Sequence, residues 1–361
     1  MKRSQAAESE AIHVLSLLTL APVRAAEVYP HLCKMGDAEF AGLLLLADAN
    51  HVVIRALHPV MEMAAERGHT ALHARCAQRI AQEKARIANA VVYLHRVTEA
   101  LEQAQCPATV MKSLEHWPDL GNDLDLYTTA SAEDVRRLMT TKFNAQIEPR
   151  SWGDRLANKW NFAIPGLPEA VEVHAQRLGQ TGEHRALAER FVSRRVARTV
   201  LGCKFRVPAP EERVIVATLQ RMYRHFYVRV CDVANLAALV ESGTLDFAEL
   251  QRSASLGGIW TGVCALLRIV SDYVQRYRAT PLALPAEVLA AAPFGAEKTY
   301  VRARFIRVPI MPEGGRLYAS QVTNAAMRGD VAGTLRLSLL PYLASAAAIS
   351  YRLTGSDKGI W

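Results

Sequence analysis

Over residues 8–105 apolar side chains recur every three or four positions, the period of a helix. "SEAIHVLSLLTL" opens with Ser9 in N-cap position. "DAEFAGLLLLADANHVVIRALHPVMEMAAERG" keeps the same spacing and stops at Gly68. "HTALHARCAQRIAQEKARIANAVVYLHRVTEALEQAQ" predicts one long helix ended by Pro107. Its apolar stripe includes Ile80, Ile87, Ala90, Val91, Leu94, Val97 and Leu101, with Glu83, Lys84 and Arg86 on the other side.

At residue 107 the period changes. "CPATVMKSL" is a short β-prone run, and the turn-rich "EHWPDLGN" follows with Pro118 and Gly121. "DLDLYTT" alternates, so Leu124 and Leu126 face one side of a strand and Asp123 and Asp125 the other. Ser131 caps a helix, "SAEDVRRLMTTKF", that carries Glu133 and Asp134 in its first turn. "NAQIEP", "KWNFAI" and "EAVEVHAQRL" are three further strand candidates, and "PGLP" suits a hairpin turn between the last two.

From residue 184 the pattern is helical again. "EHRALAERFVSRRVARTV" reads as one helix. "PEERVIVATLQRMYRHFYVRVCDVANLAALVES" reads as one or two, opened by Pro210. Two more follow in "LDFAELQRSASLGGIWTGVCALLRIVSDYVQRY". Residues 279–298 are rich in Ala and Pro and read as a linker, and "YVRARFIRVPIM" as a poor strand on a basic face. The expectation is an α+β protein. Helices occupy residues 1–106, a small α/β core 107–183, helices 184–278, and a linker with a helical tail 279–361.

Composition limits the classes available. The chain has 361 residues, half of them apolar and 22% charged, which excludes disorder as its main state. The formal net charge is +8. Between residues 185 and 229 eleven Lys or Arg stand against three acids, Glu189, Glu211 and Glu212. Such a segment is either a solvated helical face or a surface for nucleotide phosphates, RNA or a membrane. The six cysteines form no C-x-x-C pair and no zinc-finger spacing, and nothing asks for an oxidising compartment. Polar and acidic residues interrupt the N-terminus before any long apolar run, so no signal peptide is expected and a cytoplasmic location is. Residues 331–353 are long enough to span a bilayer, but Arg336 and Pro341 sit inside. They read as a core or interfacial helix pair: no transmembrane segment is expected, and peripheral membrane contact is the alternative.

Two carboxylates side by side repel, and a strand keeps such a pair most readily around a cation. Hard oxygen ligands favour Mg²⁺ or Mn²⁺, whereas a wet outer face would explain the pair without any ion. About ten residues earlier stands "MKS", where a small residue lets backbone N–H groups approach a triphosphate and Lys112 adds charge.

The stretch "VMKSLEHWPDLGNDLDLYT", with "AVEVHAQRL" and more weakly "LQRMYRHFYVRVCDVANLAAL", resembles the nucleotidyltransferase superfamily that includes DNA polymerase β. It is most similar to poorly characterised bacterial members with a Lys-Gly element, D-x-D, a later [DE]-h-H strand and helical regions on both sides. The resemblance covers roughly residues 10–275. It implies a small mixed sheet of nucleotidyltransferase type and metal-dependent transfer of NMP from an NTP, ATP for example. Asp123 and Asp125 would hold the ions, with Glu172 as third carboxylate, while Lys112 and Ser113 would contact the phosphates. Strict alternation puts Glu172 opposite Val171 and Val173 and on one face with His174. Glu148 competes for the third place, but Pro149 ends its strand. The chain departs from the pattern at Ser113, where the family has Gly.

"RMYRHFYVRVCD" sets His225 and Asp232 on one helical face beside Arg221, Arg224 and Arg229. In the family-like reading this helix faces the cleft and contacts base, ribose or acceptor; otherwise His225 is a core residue bonded to Asp232. Trp117 could stack on a base or anchor its loop, and "RLGQTGEH" wraps a ligand or is only a turn. The acceptor is a small molecule, a protein or RNA, and DNA is not an expected partner. The competing classes are a catalytically reduced relative that holds nucleotide or RNA, and a toxin-like member of the fold.

Overall fold

The computed structural model describes residues 2–354, and side chains for all of these except 2–7, 347–348 and 351–354. The chain is mixed α+β. Its main sheet has the order β1 (Ala108–Val110), β2 (Asp123–Thr128), β5 (Ala170–Ala175), β4 (Lys159–Ala163), β3 (Gln146–Ile147). Only the central pair, β2 and β5, is parallel; the other three neighbours run antiparallel. Helix Ala132–Phe143 lies in the connection between that pair, and Ser131 caps it, its Oγ accepting from the Asp134 N–H at 3.1 Å.

The alternation expected for β2 sorts its side chains. Leu124 and Leu126 are fully buried with Val171, Val173 and Phe162 in the core beneath the sheet. The long helix Thr70–Gln103 covers that core through Ile87, Val91, Leu94, Val97 and Leu101. The two helical regions expected on either side of the sheet share a second core. Leu15 and Leu18 of helix Lys2–Leu20 join Val263, Leu266 and Val270 of helix Trp260–Arg278 there. Each fully buried Leu or Ile adds about 1.5–3 kcal/mol.

Several sequence expectations are corrected. The first helix begins at Lys2 and runs through Ser9, so Ser9 is no cap. The apolar pattern that stops at Gly68 is two helices, Asp37–Ala49 and Val53–Glu66. They break at His51, whose φ of 52° lies in the left-handed region. "EHRALAERFVSRRVARTV" is not one helix: it ends at Ser193, and β6 (Arg195–Val200) pairs with β7 (Cys203–Pro208) as a hairpin. Three β-branched residues and a Leu-Gly turn with positive φ at Leu201 and Gly202 favour the hairpin. Residues 279–298 are not an open linker, because Leu282, Val288 and Phe294 are buried in the helical core. "YVRARFIRVPIM" forms a second hairpin, β9 (Tyr300–Arg302) with β10 (Phe305–Arg307), and β10 also pairs with β8 (Tyr227–Val228). Residues 331–353 do form the expected pair of helices, Val331–Ser338 and Leu340–Thr354, with Gly333 and Leu337 of the first buried, and no described helix is long and apolar enough to cross a membrane.

Candidate active site

The register of the parallel pair builds the site. Asp125 on β2 stands opposite Glu172 on β5, and both side chains leave the face opposite the apolar core. Neither has ready access to water: Asp125 is 7% exposed and the Glu172 side chain 12%. His174, two residues on, shares the face and donates from Nε2 to Glu172 Oε1 at 2.8 Å. One ligand atom from each of Asp125, Glu172 and His174 lies within 4.8 Å of the others. Asp123 lines the same cavity from an exposed position at the start of β2 and stands outside that trio. Glu148 is exposed just past β3, at the far edge of the sheet from β2.

Two lysines neutralise the buried carboxylates. Lys112 Nζ is 2.5 Å from Asp125 Oδ1 and 4.0 Å from Glu172 Oε1. Lys159 Nζ donates to Glu172 Oε2 at 3.0 Å and sits 2.8 Å from Asp154 Oδ1. Asp154 is itself fixed by the Ser151 capping box at the start of helix Trp152–Leu156. Lys159 was not singled out in the sequence, because it opens a strand seen only as a run of aromatic and apolar residues. Its role follows from β4 pairing antiparallel with β5, which sets Lys159 opposite His174 and one pleat from Glu172.

The two buried carboxyls are pushed in opposite directions. Burial raises Asp125 to about 7; Lys112 opposes this, and the charges of Glu172 and Asp123 add to it. Burial also acts to raise Glu172, but the His174 hydrogen bond, Lys112 and Lys159 outweigh it and hold Glu172 well below the carboxylate range. Asp123 is raised by loss of water on its inner side and by Glu172. Burial lowers His174, which keeps the ring neutral. With Nε2–H given to Glu172, His174 Nδ1 carries a bare lone pair, and it is buried without a hydrogen-bond partner.

Ser113 faces inward to its own backbone. Its Oγ accepts from the Asp125 N–H at 2.7 Å and donates to the Asp123 carbonyl at 3.3 Å. It therefore clamps the 3₁₀ turn Lys112–His116 onto β2 and fixes Lys112 above Asp125. Lys112 also lines two smaller cavities flanking the carboxylate cavity.

The segment 219–229 supplies the rest of the cavity. Helix Pro210–Thr218 passes into a wide π-helical turn, Leu219–Arg224, which presents Gln220, Arg221 and Arg224 to it. The turn and β8 end the helical phase, so His225 and Asp232 do not share a face. Asp232 instead accepts from the Arg229 N–H at 2.7 Å and pairs with Arg221 Nε at 2.6 Å. His225 is half-buried in the cavity wall with its ring tilted 5.4 Å from Tyr227. His51 enters the same cavity from the helix break. Asn50 holds that break: it donates to the Leu46 and Arg304 carbonyls and accepts from the Val230 N–H. The polar pair in "ADANHVV" was the one sequence signal that this apolar run is interrupted for a purpose.

Other singled-out residues are structural. Trp117 packs against the sheet core while its carbonyl accepts from Arg55. The loop "RLGQTGEH" closes on its own Glu183, whose carboxylate accepts from the Gln180 and Thr181 N–H groups. Gly179, at φ +97°, is required there, since a Cβ would stand 2.3 Å from that carboxylate. Five of the eleven basic residues between 185 and 229 are consumed internally: Arg190 and Arg194 pair with Glu212, Arg195 with Glu102, and Arg198 and Arg213 with Glu115.

The site thus joins a buried carboxylate pair and a cluster of cations in one cavity of about 200 Å³, with His174 lining a smaller cavity beside it. A scan against models of known protein families finds no match, and a search of curated proteins finds no similar sequence.

Proposed function

We propose that the chain is a metal-dependent nucleotidyltransferase that moves NMP from an NTP to an acceptor. The single observation that carries this reading is the pairing of Asp125 with Glu172 across the parallel strands, both buried and both facing a cation-lined cavity. A five-stranded mixed sheet with one parallel central pair supports it as well.

The donor set fits a divalent ion. Two carboxylate oxygens and one ring nitrogen of His174 lie within 4.8 Å of one another, and a divalent ion there would take the place of Lys112 as the cation between the carboxylates. Asp125, Glu172 and His174 would hold the ion, with Asp123 at the mouth. Bound there, it would supply charge neutralisation on the transferring phosphoryl group and acidification of the acceptor. The chain's own residues do the positioning. Lys159 and His174 orient Glu172 by fixing one oxygen each. Lys112, on a flexible four-carbon stem, holds Asp125 until the triphosphate draws its ammonium away. Ser113 keeps the turn beneath it rigid.

A second reading, a catalytically reduced relative that only holds nucleotide, is favoured by Lys112, whose ammonium lies directly against Asp125 where a cation would bind. One experiment separates the two. The protein is incubated with each labelled NTP and Mg²⁺ or Mn²⁺ in cell extract, and pyrophosphate and labelled products are followed. Transfer that disappears with Asp125→Asn supports the enzyme. Nucleotide binding with no pyrophosphate release from any NTP sinks it.

A further inference from the structure

The cavity holds more cations than its carboxylates need. Lys112, Arg221, Arg224 and Arg229 line it together with Asp123, Asp125 and Glu172. Lys112 is engaged by Asp125, but the three arginines are poorly matched. Arg221 is 1% exposed, has Asp232 as its one carboxylate partner among the described residues, and leaves Nη1 buried without a hydrogen-bond partner. Arg229 gives Nη1 to the neutral ring of His51 at 2.5 Å, and its Nε is buried and unpartnered. Arg224 has no carboxylate within ion-pair distance among the described residues. The charges bear on one another: burial first, then Arg229, hold His51 at about 2, and burial, Arg224 and Arg221 do the same to His225.

A fully buried guanidinium with unmet donors, beside two others, is costly unless an acceptor answers it. A tetrahedral oxyanion does so, because its several acceptor oxygens can meet donors from more than one guanidinium fork. We propose that Arg221, Arg224 and Arg229 form an oxyanion subsite for a phosphoryl or diphosphoryl group, built by the segment 219–229 and distinct from the carboxylates on the sheet. A cavity of about 200 Å³ suits a short phosphate chain better than a whole nucleotide. The subsite does not require the metal. Only naming a nucleotide as the source of the phosphate rests on the nucleotidyl-transfer reading; a phosphorylated acceptor carries the same chemistry.

The test is calorimetric titration of the full chain with inorganic pyrophosphate, in EDTA and again with Mg²⁺. Binding is expected in EDTA, with affinity that falls as salt rises. Arg224→Met should weaken it about tenfold or more, the loss of one charge-assisted contact. Arg221→Met should do the same, and Arg221→Lys, which keeps the charge facing Asp232, covers the case in which the methionine variant does not fold. Asp125→Asn should leave the affinity unchanged or raise it. ATP that competes with pyrophosphate identifies a nucleotide tail, and ATP that binds alongside it identifies an acceptor phosphate; either supports the subsite. Pyrophosphate that binds only with Mg²⁺ and is lost in Asp125→Asn, or that ignores both arginine positions, overturns it. Should no NTP release pyrophosphate while Arg224-dependent binding persists, nucleotidyl transfer fails and the subsite stands.

Discussion

Two clusters of buried charge in this molecule look alike in composition and differ in closure. Between helices Arg185–Ser193, Pro210–Thr218 and Phe247–Gly257, Glu212 is completely buried, with one oxygen toward Arg190 and the other toward Arg194. Glu211 and Glu249 complete that set, and no carboxylate oxygen in it is left without a partner. In and beside the carboxylate cavity, by contrast, Arg221 Nη1 and His174 Nδ1 are buried and unmet, and two carboxyls are driven apart in proton affinity. A closed network fixes helices. An open one leaves polar valence unmet, and strongly perturbed groups beside a cavity point to function more than ion pairs do.

Substitution should break this contrast in separable ways. Asp125→Asn should lower NTP-dependent pyrophosphate release by about a hundredfold or more, as expected for loss of a metal ligand. Its urea midpoint should stay near that of the parent chain, since Asp125 is half-neutral near pH 7 already. Glu212→Gln should do the reverse. Arg190 and Arg194 keep Glu249 and Glu211, so loss of the shared Glu212 charge costs about 1–3 kcal/mol in denaturant unfolding, while the pyrophosphate affinity of the remaining folded protein holds. Lys112→Met should tighten Mn²⁺ binding about tenfold by removing the cation against Asp125, yet slow turnover. A variant that binds Mn²⁺ more weakly would make Lys112 a support of the ion site and not its competitor.

Proton competition sharpens the same point. Asp125 has its pKa raised to about 7, so it is protonated below that pH and a cation must displace the proton. Mn²⁺ affinity should therefore fall about tenfold between pH 6 and pH 5 and level off above pH 8. Glu172, held low, stays ionised across this window and adds nothing to the slope. An affinity flat from pH 5 to 8 would remove Asp125 from the ligand set. The smallest effect belongs to Glu148→Gln, which should change neither turnover nor stability by more than about 0.5 kcal/mol, because the residue is exposed at the sheet edge.

What was legible in the chain was local. Alternation in "DLDLYTT" and "VEVH" fixed which side chains leave the same face of their strands, and Ser131 and Pro210 marked two helix starts. Those signals depend on geometry that repeats every two or four residues, and they survive any tertiary arrangement. Register across strands does not have that property. That Asp125 meets Glu172 and not Glu148 was decided by β2 and β5 pairing in parallel over a long connection. The approach of Lys159 to Glu172, and the gathering of His51 and the three arginines in the cavity, were likewise decided only by packing. Where the sequence misled, a charged or apolar run satisfied the helical period, but left-handed His51 broke the run at residues 50–52, and a hairpin turning at left-handed Leu201 and Gly202 took residues 195–208. Periodicity reports which face is apolar; only the folded chain decides which charges that face must answer, because their free energy depends on partners far away in sequence.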